Sequence, residues 1–233
     1  LYSVGFAVWQ HDSLIFEKYW NGWDADSVSN SFSVAKSYIS VLTGIAMREG
    51  KITSVFQPVS DFLPEFKDEC HAKINIYHLL TMSTGLDWSE SGADPFSDNA
   101  KGYYGTNVRE LSLSQPCRDE PGKEFDYISG STQIMAEVLE AAYGKPLDAL
   151  VQAKVWGPLG CEDDAYWGKD REDGDFKAFC CLYATARDWA RFGQFLLQDG
   201  VWNGERYQAL RAAVDSDGPA PWPCQSCGVR WSL

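Results

Sequence analysis

Residues 31–37 of the chain read SFSVAKS, and they open a segment that continues to Gly50. Apolar or small side chains recur along the segment at helical spacing, at Val34, Tyr38, Val41, Leu42, Ile45 and Ala46. This spacing predicts a largely buried helix over residues 33–49, with the glycine as its stop signal. We therefore expect the helix to run through the centre of the fold, with Ser33 at its beginning.

Ser33 and Lys36 are three residues apart on this helix, so their side chains share one face. A serine becomes a useful nucleophile only when a base takes its proton. The positive end of the helix dipole and partial burial both disfavour the charged ammonium form of Lys36. They therefore favour the neutral amine, which is the form that can accept a proton. However, a serine and a lysine at this spacing occur about once by chance in such a chain, and a capped helix with a solvated lysine is the alternative.

A second element strengthens the catalytic interpretation of the first. Tyr127 and Ser129 flank Ile128 on a loop that follows Pro121 and precedes another predicted helix, which closes at Gly144. A phenol near a lysine can relay a proton to a leaving group, and a neighbouring hydroxyl can orient either group. The alternative for Tyr127 is a buried structural tyrosine with a satisfied hydroxyl.

The rest of the chain predicts a mixed α/β protein. Residues 2–9 and 14–20 are β-prone runs separated by a polar turn, which predicts a hairpin. Residues 76–82 predict a short helix, and residues 89–107 predict a polar loop. Residues 185–188 resemble a capping box before a further amphipathic helix.

Charge and composition exclude several classes of function. The 233 residues carry a formal net charge of −13, which argues against a surface for nucleic acid or anionic membranes. No apolar run reaches the length of a membrane span.

There are seven cysteines, so at least one is free or paired between chains. Cys180 and Cys181 are expected to be packing thiols, and the CxxC pair at Cys224 and Cys227 lacks partners for a zinc site, so we expect no metal.

Four motifs in order resemble the serine β-lactamase-related family, which includes class C β-lactamases and penicillin-binding-protein-like hydrolases. They are the stretches SFSVAKS at 31–37, LLTMSTGLDW at 79–88, PGKEFDYISG at 121–130 and YATARDWARFG at 183–193. The Tyr-x-Ser form at 127–129 is similar to the 6-aminohexanoate-dimer hydrolase and family VIII carboxylesterase branch.

This resemblance implies a β-lactamase/transpeptidase-like fold, in which an antiparallel sheet flanked by helices lies beside a mainly helical lobe. Residues 1–30 and 183–233 would form the sheet lobe, incomplete at its C-terminal end, and residues 31–182 the helical lobe. Ser33 would be acylated, and Lys36 would activate it. Tyr127 would shuttle protons, and Ser129 would support Tyr127 and Lys36. The backbone N–H of Ser33 would donate to the oxyanion, and a second donor is expected on a strand with a third motif just beyond the present C-terminus.

The resemblance also implies which residues line the substrate-binding cleft and which class of substrate binds there. Asp87, Trp88, Tyr103 and Tyr104 fall where the family places substrate-facing residues, although such aromatics also pack structurally. The implied activity is hydrolysis of small esters, short linear amides or β-lactams, in that order, with no cofactor. The alternative is a penicillin-binding-like sensor or a scaffold that does not turn over. The oligomeric state is left open, and the full-length protein is expected to be periplasmic or membrane-anchored.

Overall fold

The described part of the chain opens with a β-hairpin, as the sequence predicts. A computed structural model describes residues 3–10 and 13–206. Strand β1 (Gly5–Gln10) pairs antiparallel with β2 (Ser13–Tyr19), and the register shifts between Val8 and Trp9.

A second, three-stranded sheet brings distant parts of the chain together. It consists of β3 (Val28–Asn30), β4 (Tyr166–Trp167) and β5 (Leu182–Thr185), with β5 in the middle and antiparallel to both neighbours. Because β3 ends immediately before residue 31, its pairing with β5 places the Ser33 segment beside the residues that precede Leu182. A small hairpin, β6 (Val201–Trp202) and β7 (Glu205–Arg206), follows later in the chain.

Seven α-helices accompany these strands within the described residues. They are α1 (Ala35–Arg48), α2 (Ile76–Leu80), α3 (Asp98–Tyr104), α4 (Val108–Leu113), α5 (Ser129–Tyr143), α6 (Leu147–Val151) and α7 (Ala186–Leu197). Helix α6 continues into one π-helical turn, Gln152–Trp156. Short 3₁₀ turns occupy Phe32–Val34, Val59–Asp61, Pro64–Lys67 and His71–Lys73. The antiparallel, mixed α/β class is confirmed, whereas the division into two lobes stays a prediction.

Helices α1 and α5 form the centre of the hydrophobic core. Both were predicted from their apolar spacing, and both end at glycines in the left-handed region, Gly50 at φ +69° and Gly144 at φ +62°. Every residue of α5 from Ser129 to Leu139 is buried, as are most residues of α1. A helix that is buried on several sides has little freedom to shift, so the side chains at its first turn are held rigidly.

The prediction of a polar loop over residues 89–107 is wrong for part of its length, because α3 lies there. The Ser97 hydroxyl caps this helix by accepting from the backbone N–H of Ala100, and Lys101 pairs with Asp98 at 3.0 Å. Of the helix residues, only Gly102 is buried. A helix of seven residues with the sequence DNAKGYY is too short to show apolar periodicity, and the sequence pattern therefore did not reveal it.

Two disulfides lie within the described residues, and one of them corrects a prediction. Cys70 is joined to Cys117 across 47 residues, and Cys180 is joined to its neighbour Cys181, where the sequence suggested two packing thiols. Cys161 is a free thiol. Over residues 3–10 and 13–206, none of the helices combines the length and the apolar character needed to cross a membrane.

Candidate active site

The structure brings Ser33 and Lys36 together. Ser33 lies in the 3₁₀ turn Phe32–Val34, and Lys36 lies in the first turn of α1. Lys36 Nζ is hydrogen-bonded to Ser33 Oγ at 3.1 Å. This distance is within the range for direct proton transfer between a nucleophile and its base.

The backbone enters this turn in an unusual conformation. Phe32 has φ +45°, in the left-handed region that a bulky side chain rarely adopts, and such residues cost about 1–3 kcal/mol each. Its N–H donates to Asn30 Oδ1 at 2.9 Å, and the N–H of Ser31 donates to the carbonyl of Leu182 at 2.8 Å. The pairing of β3 with β5 thus holds the strained turn that presents Ser33 at the surface, where it is exposed.

Lys36 has further partners that fix its position. Nζ donates to the carbonyl oxygen of Phe179 at 3.0 Å, and it lies 5.1 Å from the ring centroid of Tyr127 and 5.7 Å from that of Phe179. Both rings thus lie close to the amine. The half-buried Lys36 is therefore held against Ser33 from two sides, by α1 itself and by the segment that leads into β5.

Tyr127 completes a constellation of three predicted residues. It lies on the loop immediately before α5, its ring faces Lys36, and it is 39% exposed. The face of the ring therefore lies against the lysine amine, while part of the side chain is open to solvent. The structure therefore brings Tyr127 beside Lys36 and its partner Ser33, although Tyr127 lies far from both in the sequence.

Ser129 has a different partner from the one that the resemblance suggests. Its side chain is buried, with 2% exposed, and its hydroxyl donates to Glu90 Oε1 at 2.5 Å. Its backbone N–H donates to Glu90 Oε2 at 2.9 Å. Support of Lys36 and Tyr127 by Ser129 stays a prediction. Glu90 could not be predicted from the sequence, because 39 residues separate it from Ser129 and no local spacing marks it.

The four candidate substrate-facing residues lie in different environments. Asp87 is exposed and forms a long ion pair with Arg118 at 4.0 Å. Trp88 is only 3% exposed and lies in the core, where its ring packs against Gly130 and its Nε1 donates to Glu90 at 2.8 Å. Trp88 is therefore a packing residue in this structure, and it does not line an open surface.

The two tyrosines of the set differ from each other in burial. Tyr103 packs edge-to-face on Phe179, with ring centroids 5.4 Å apart. Burial raises the pKa of Tyr103, and the nearby Glu90 and Tyr127 raise it further. Tyr103 is thus close to the constellation, whereas Tyr104 is 87% exposed on the same helix. Contact of either tyrosine with a substrate stays a prediction.

Two other expectations concern residues outside the described part of the chain. The pair Cys224 and Cys227 falls there, and the third motif is expected just beyond the present C-terminus, Leu233. Within residues 3–10 and 13–206, no three His, Cys, Asp or Glu side chains come together as metal ligands.

Comparison with known proteins gives matches over most of the chain. The family model described as Beta-lactamase matches residues 1–224. The 6-aminohexanoate-dimer hydrolase of Paenarthrobacter ureafaciens is 28% identical over 211 residues, which cover 86% of this chain and 53% of that protein. Esterase EstB of Burkholderia gladioli is 29% identical over 160 residues, which cover 63% of this chain and 40% of that protein.

A solved structure gives the same result for the fold. A Bacillus anthracis protein superposes with a TM-score of 0.81 at 25% identity, covering 91% of this chain and 58% of that one. The predicted β-lactamase/transpeptidase-like fold is therefore confirmed. The chain spans about half the length of the curated relatives it matches.

Proposed function

The chain belongs to the β-lactamase family, and from that premise we propose that it is a serine hydrolase that cleaves small esters or amides through an acyl-enzyme on Ser33. The observation that carries the proposal is the 3.1 Å contact between Lys36 Nζ and Ser33 Oγ, with the Tyr127 ring beside the same amine.

In the first half of the reaction, Ser33 Oγ attacks the carbonyl carbon of the substrate and its proton passes to the neutral amine of Lys36. The negative charge that develops on the carbonyl oxygen is stabilised by backbone donors, of which the N–H of Ser33 is one. The bond to the leaving group then breaks. The hydroxyl of Tyr127 gives a proton to that group and is reprotonated through Lys36, which leaves a neutral alcohol or amine and an ester on Ser33.

In the second half, water attacks the ester carbonyl. The same groups act in the opposite direction, because the proton of the water passes to the amine of Lys36, directly or through the Tyr127 hydroxyl, and returns to Ser33 Oγ as the acid departs. No step requires a metal or an organic cofactor.

For the substrate, we propose small esters first, short linear amides second and β-lactams third. Support comes from the names of two relatives, a hydrolase of the 6-aminohexanoate dimer and an esterase. The chain's acidic charge of −13 also favours a small molecule over nucleic acid as its partner.

The test is hydrolysis of p-nitrophenyl acetate by the full-length protein. It is monitored through the release of nitrophenol and through intact-mass spectrometry of the protein. Many turnovers, lost in Ser33→Ala, support the proposal. One equivalent of nitrophenol with a persistent acyl adduct would instead show a sensor that does not turn over. The proposal would be overturned if nitrophenol were not released and no acyl adduct formed. A panel of p-nitrophenyl butyrate, the linear 6-aminohexanoate dimer and a chromogenic cephalosporin then tests the substrate order.

A further inference from the structure

Glu90 is the acceptor of three hydrogen bonds beside the constellation. Its carboxylate accepts from the hydroxyl of Ser129 at 2.5 Å, from the backbone N–H of Ser129 at 2.9 Å and from Nε1 of Trp88 at 2.8 Å. Glu90 lies on a loop and is half-buried. Nothing in the proposed chemistry uses its carboxylate directly, yet its partner Ser129 lies only two residues after Tyr127.

These hydrogen bonds cap the N-terminal turn of α5. The first N–H groups of a helix have no partner within the helix, and Ile128, at the N-cap, has no side chain that could accept from them. Glu90 supplies the acceptor from a distant loop, and its negative charge lies at the positive end of a 15-residue helix. The first turn of α5 is thereby fixed to the loop that carries Glu90.

Glu90 itself is held by a rigid support. The ring of Trp88 is buried against Gly130 in the first turn of α5, so closely that a β-carbon on that glycine would lie 2.7 Å from the ring. The other side of Tyr127 is anchored as well, because the N–H of Asp126 donates to the carbonyl of Met82 at 2.8 Å. Tyr127 thus lies between two fixed points, and Glu90 provides the one on the helix side.

We propose that Glu90 is a positioning residue that fixes Tyr127 against Lys36 through its hydrogen bonds to Ser129, and that Ser129 acts mainly as the anchor for Glu90. This inference rests on the proposed function, since it concerns the efficiency of the same site. A displacement of about 1 Å in a catalytic group can reduce a rate about a hundredfold, so a residue that never touches the substrate can control the reaction.

Two conservative substitutions separate hydrogen-bond geometry from charge. In Glu90→Gln, the amide oxygen can accept from the Ser129 N–H and from Trp88, and the amide nitrogen can donate to the Ser129 hydroxyl, so all three contacts survive without the charge. In Glu90→Asp, the charge survives, but the carboxylate is withdrawn by one methylene, about 1.5 Å, and loses its reach to Ser129.

The experiment measures the rate constant of acylation, kcat and KM of the full-length protein with p-nitrophenyl acetate, at a temperature where circular dichroism shows every variant folded. We expect Glu90→Gln to stay within about threefold of the wild type. We expect Glu90→Asp to acylate about tenfold to a hundredfold more slowly with little change in KM. The matched pair Glu124→Gln and Glu124→Asp, at an exposed carboxylate three residues before Tyr127, should leave all constants unchanged.

Three results would overturn the inference, and they differ from one another. If Glu90→Asp is active and Glu90→Gln is slow, the charge acts and not the positioning. If both variants match the wild type, Tyr127 does not depend on Glu90. If the wild type itself neither acylates nor turns over, the proposed function fails, and this inference fails with it.

Discussion

Lys36 Nζ and Ser33 Oγ lie 3.1 Å apart at the start of α1, and the same nitrogen donates to the carbonyl of Phe179 at 3.0 Å. The first contact comes from helical spacing alone, whereas the second requires the pairing of β3 with β5. The lysine is therefore fixed by two independent parts of the fold before any substrate arrives. Such preorganisation lowers the cost of reaching the transition state.

Replacing Lys36 tests its role as the base. Lys36→Arg keeps a positive charge that cannot be removed near neutral pH, and Lys36→Met keeps most of the side-chain volume. We expect both to lower the rate constant of acylation by about 10²–10⁴, measured by stopped-flow release of nitrophenol. Lys51→Met, at an exposed lysine beyond the other end of α1, serves as the control and should acylate normally. Normal acylation in Lys36→Arg would show that another group accepts the proton.

Removing only the hydroxyl of Tyr127 tests proton relay. Tyr127→Phe keeps the ring 5.1 Å from Lys36 Nζ and loses the O–H. We expect kcat to fall by about 10²–10⁴ with a smaller change in KM. The control is Tyr166→Phe, at an exposed tyrosine on β4, which should retain full activity. Equal activity of the two variants would contradict the assigned role.

Two helical glycines should respond oppositely to alanine. At Gly130 a β-carbon would lie 2.7 Å from the Trp88 ring, whereas at Gly193 in α7 no atom lies within 4 Å. We expect Gly130→Ala to lower the free energy of unfolding by about 1–3 kcal/mol. Gly193→Ala should raise it by up to about 1 kcal/mol through helix propensity. Urea denaturation of both variants checks the signs, and equal stability would refute the close packing at Trp88.

Glu137 gives stability a defined pH dependence. Burial raises the pKa of Glu137 from 4.5 to about 7, against the opposing effects of a hydrogen bond from Gln133 and of the Arg109 charge, and its side chain is 6% exposed. The folded state therefore keeps a proton that the unfolded state releases above pH 4.5. Stability from this group is fully present below about pH 4.5 and is lost as pH rises to about 7, by about 3 kcal/mol in all.

The measurement is the free energy of unfolding at pH 5, 6, 7 and 8 for the wild type and for Glu137→Gln. We expect the wild type to lose more stability than the variant between pH 5 and 7, and the difference in slope to fade as the pH rises above about 7. Glu124→Gln should follow the wild type throughout. Identical slopes for wild type and Glu137→Gln below pH 7 would contradict the raised pKa.

Local patterns in the sequence predicted the parts of the molecule that depend on local geometry. The hairpin, α1, α5 and α7 follow from periodicity and stop signals, and the approach of Lys36 to Ser33 follows from positions three residues apart on a helix. The family resemblance then brought Tyr127 to the same site, which no local pattern could do.

Contacts that depend on long-range packing were not predictable. Glu90 meets Ser129 across 39 residues, and the carbonyl of Phe179 reaches Lys36 across 143 residues. Trp88 was expected near the substrate, but its burial depends on the close approach of α5 at Gly130. Helix α3 was not predicted because its seven residues are too few to show an apolar periodicity.

The most direct test of the account is the location of the acyl group. The full-length protein is mixed with p-nitrophenyl acetate, quenched in acid within the burst, digested and sequenced by tandem mass spectrometry, with Ser33→Ala and Ser37→Ala in parallel. The account predicts an acetyl group on Ser33 in the wild type and in Ser37→Ala, and no adduct in Ser33→Ala. An acetyl group on another side chain during turnover, or an undiminished adduct in Ser33→Ala, would contradict it.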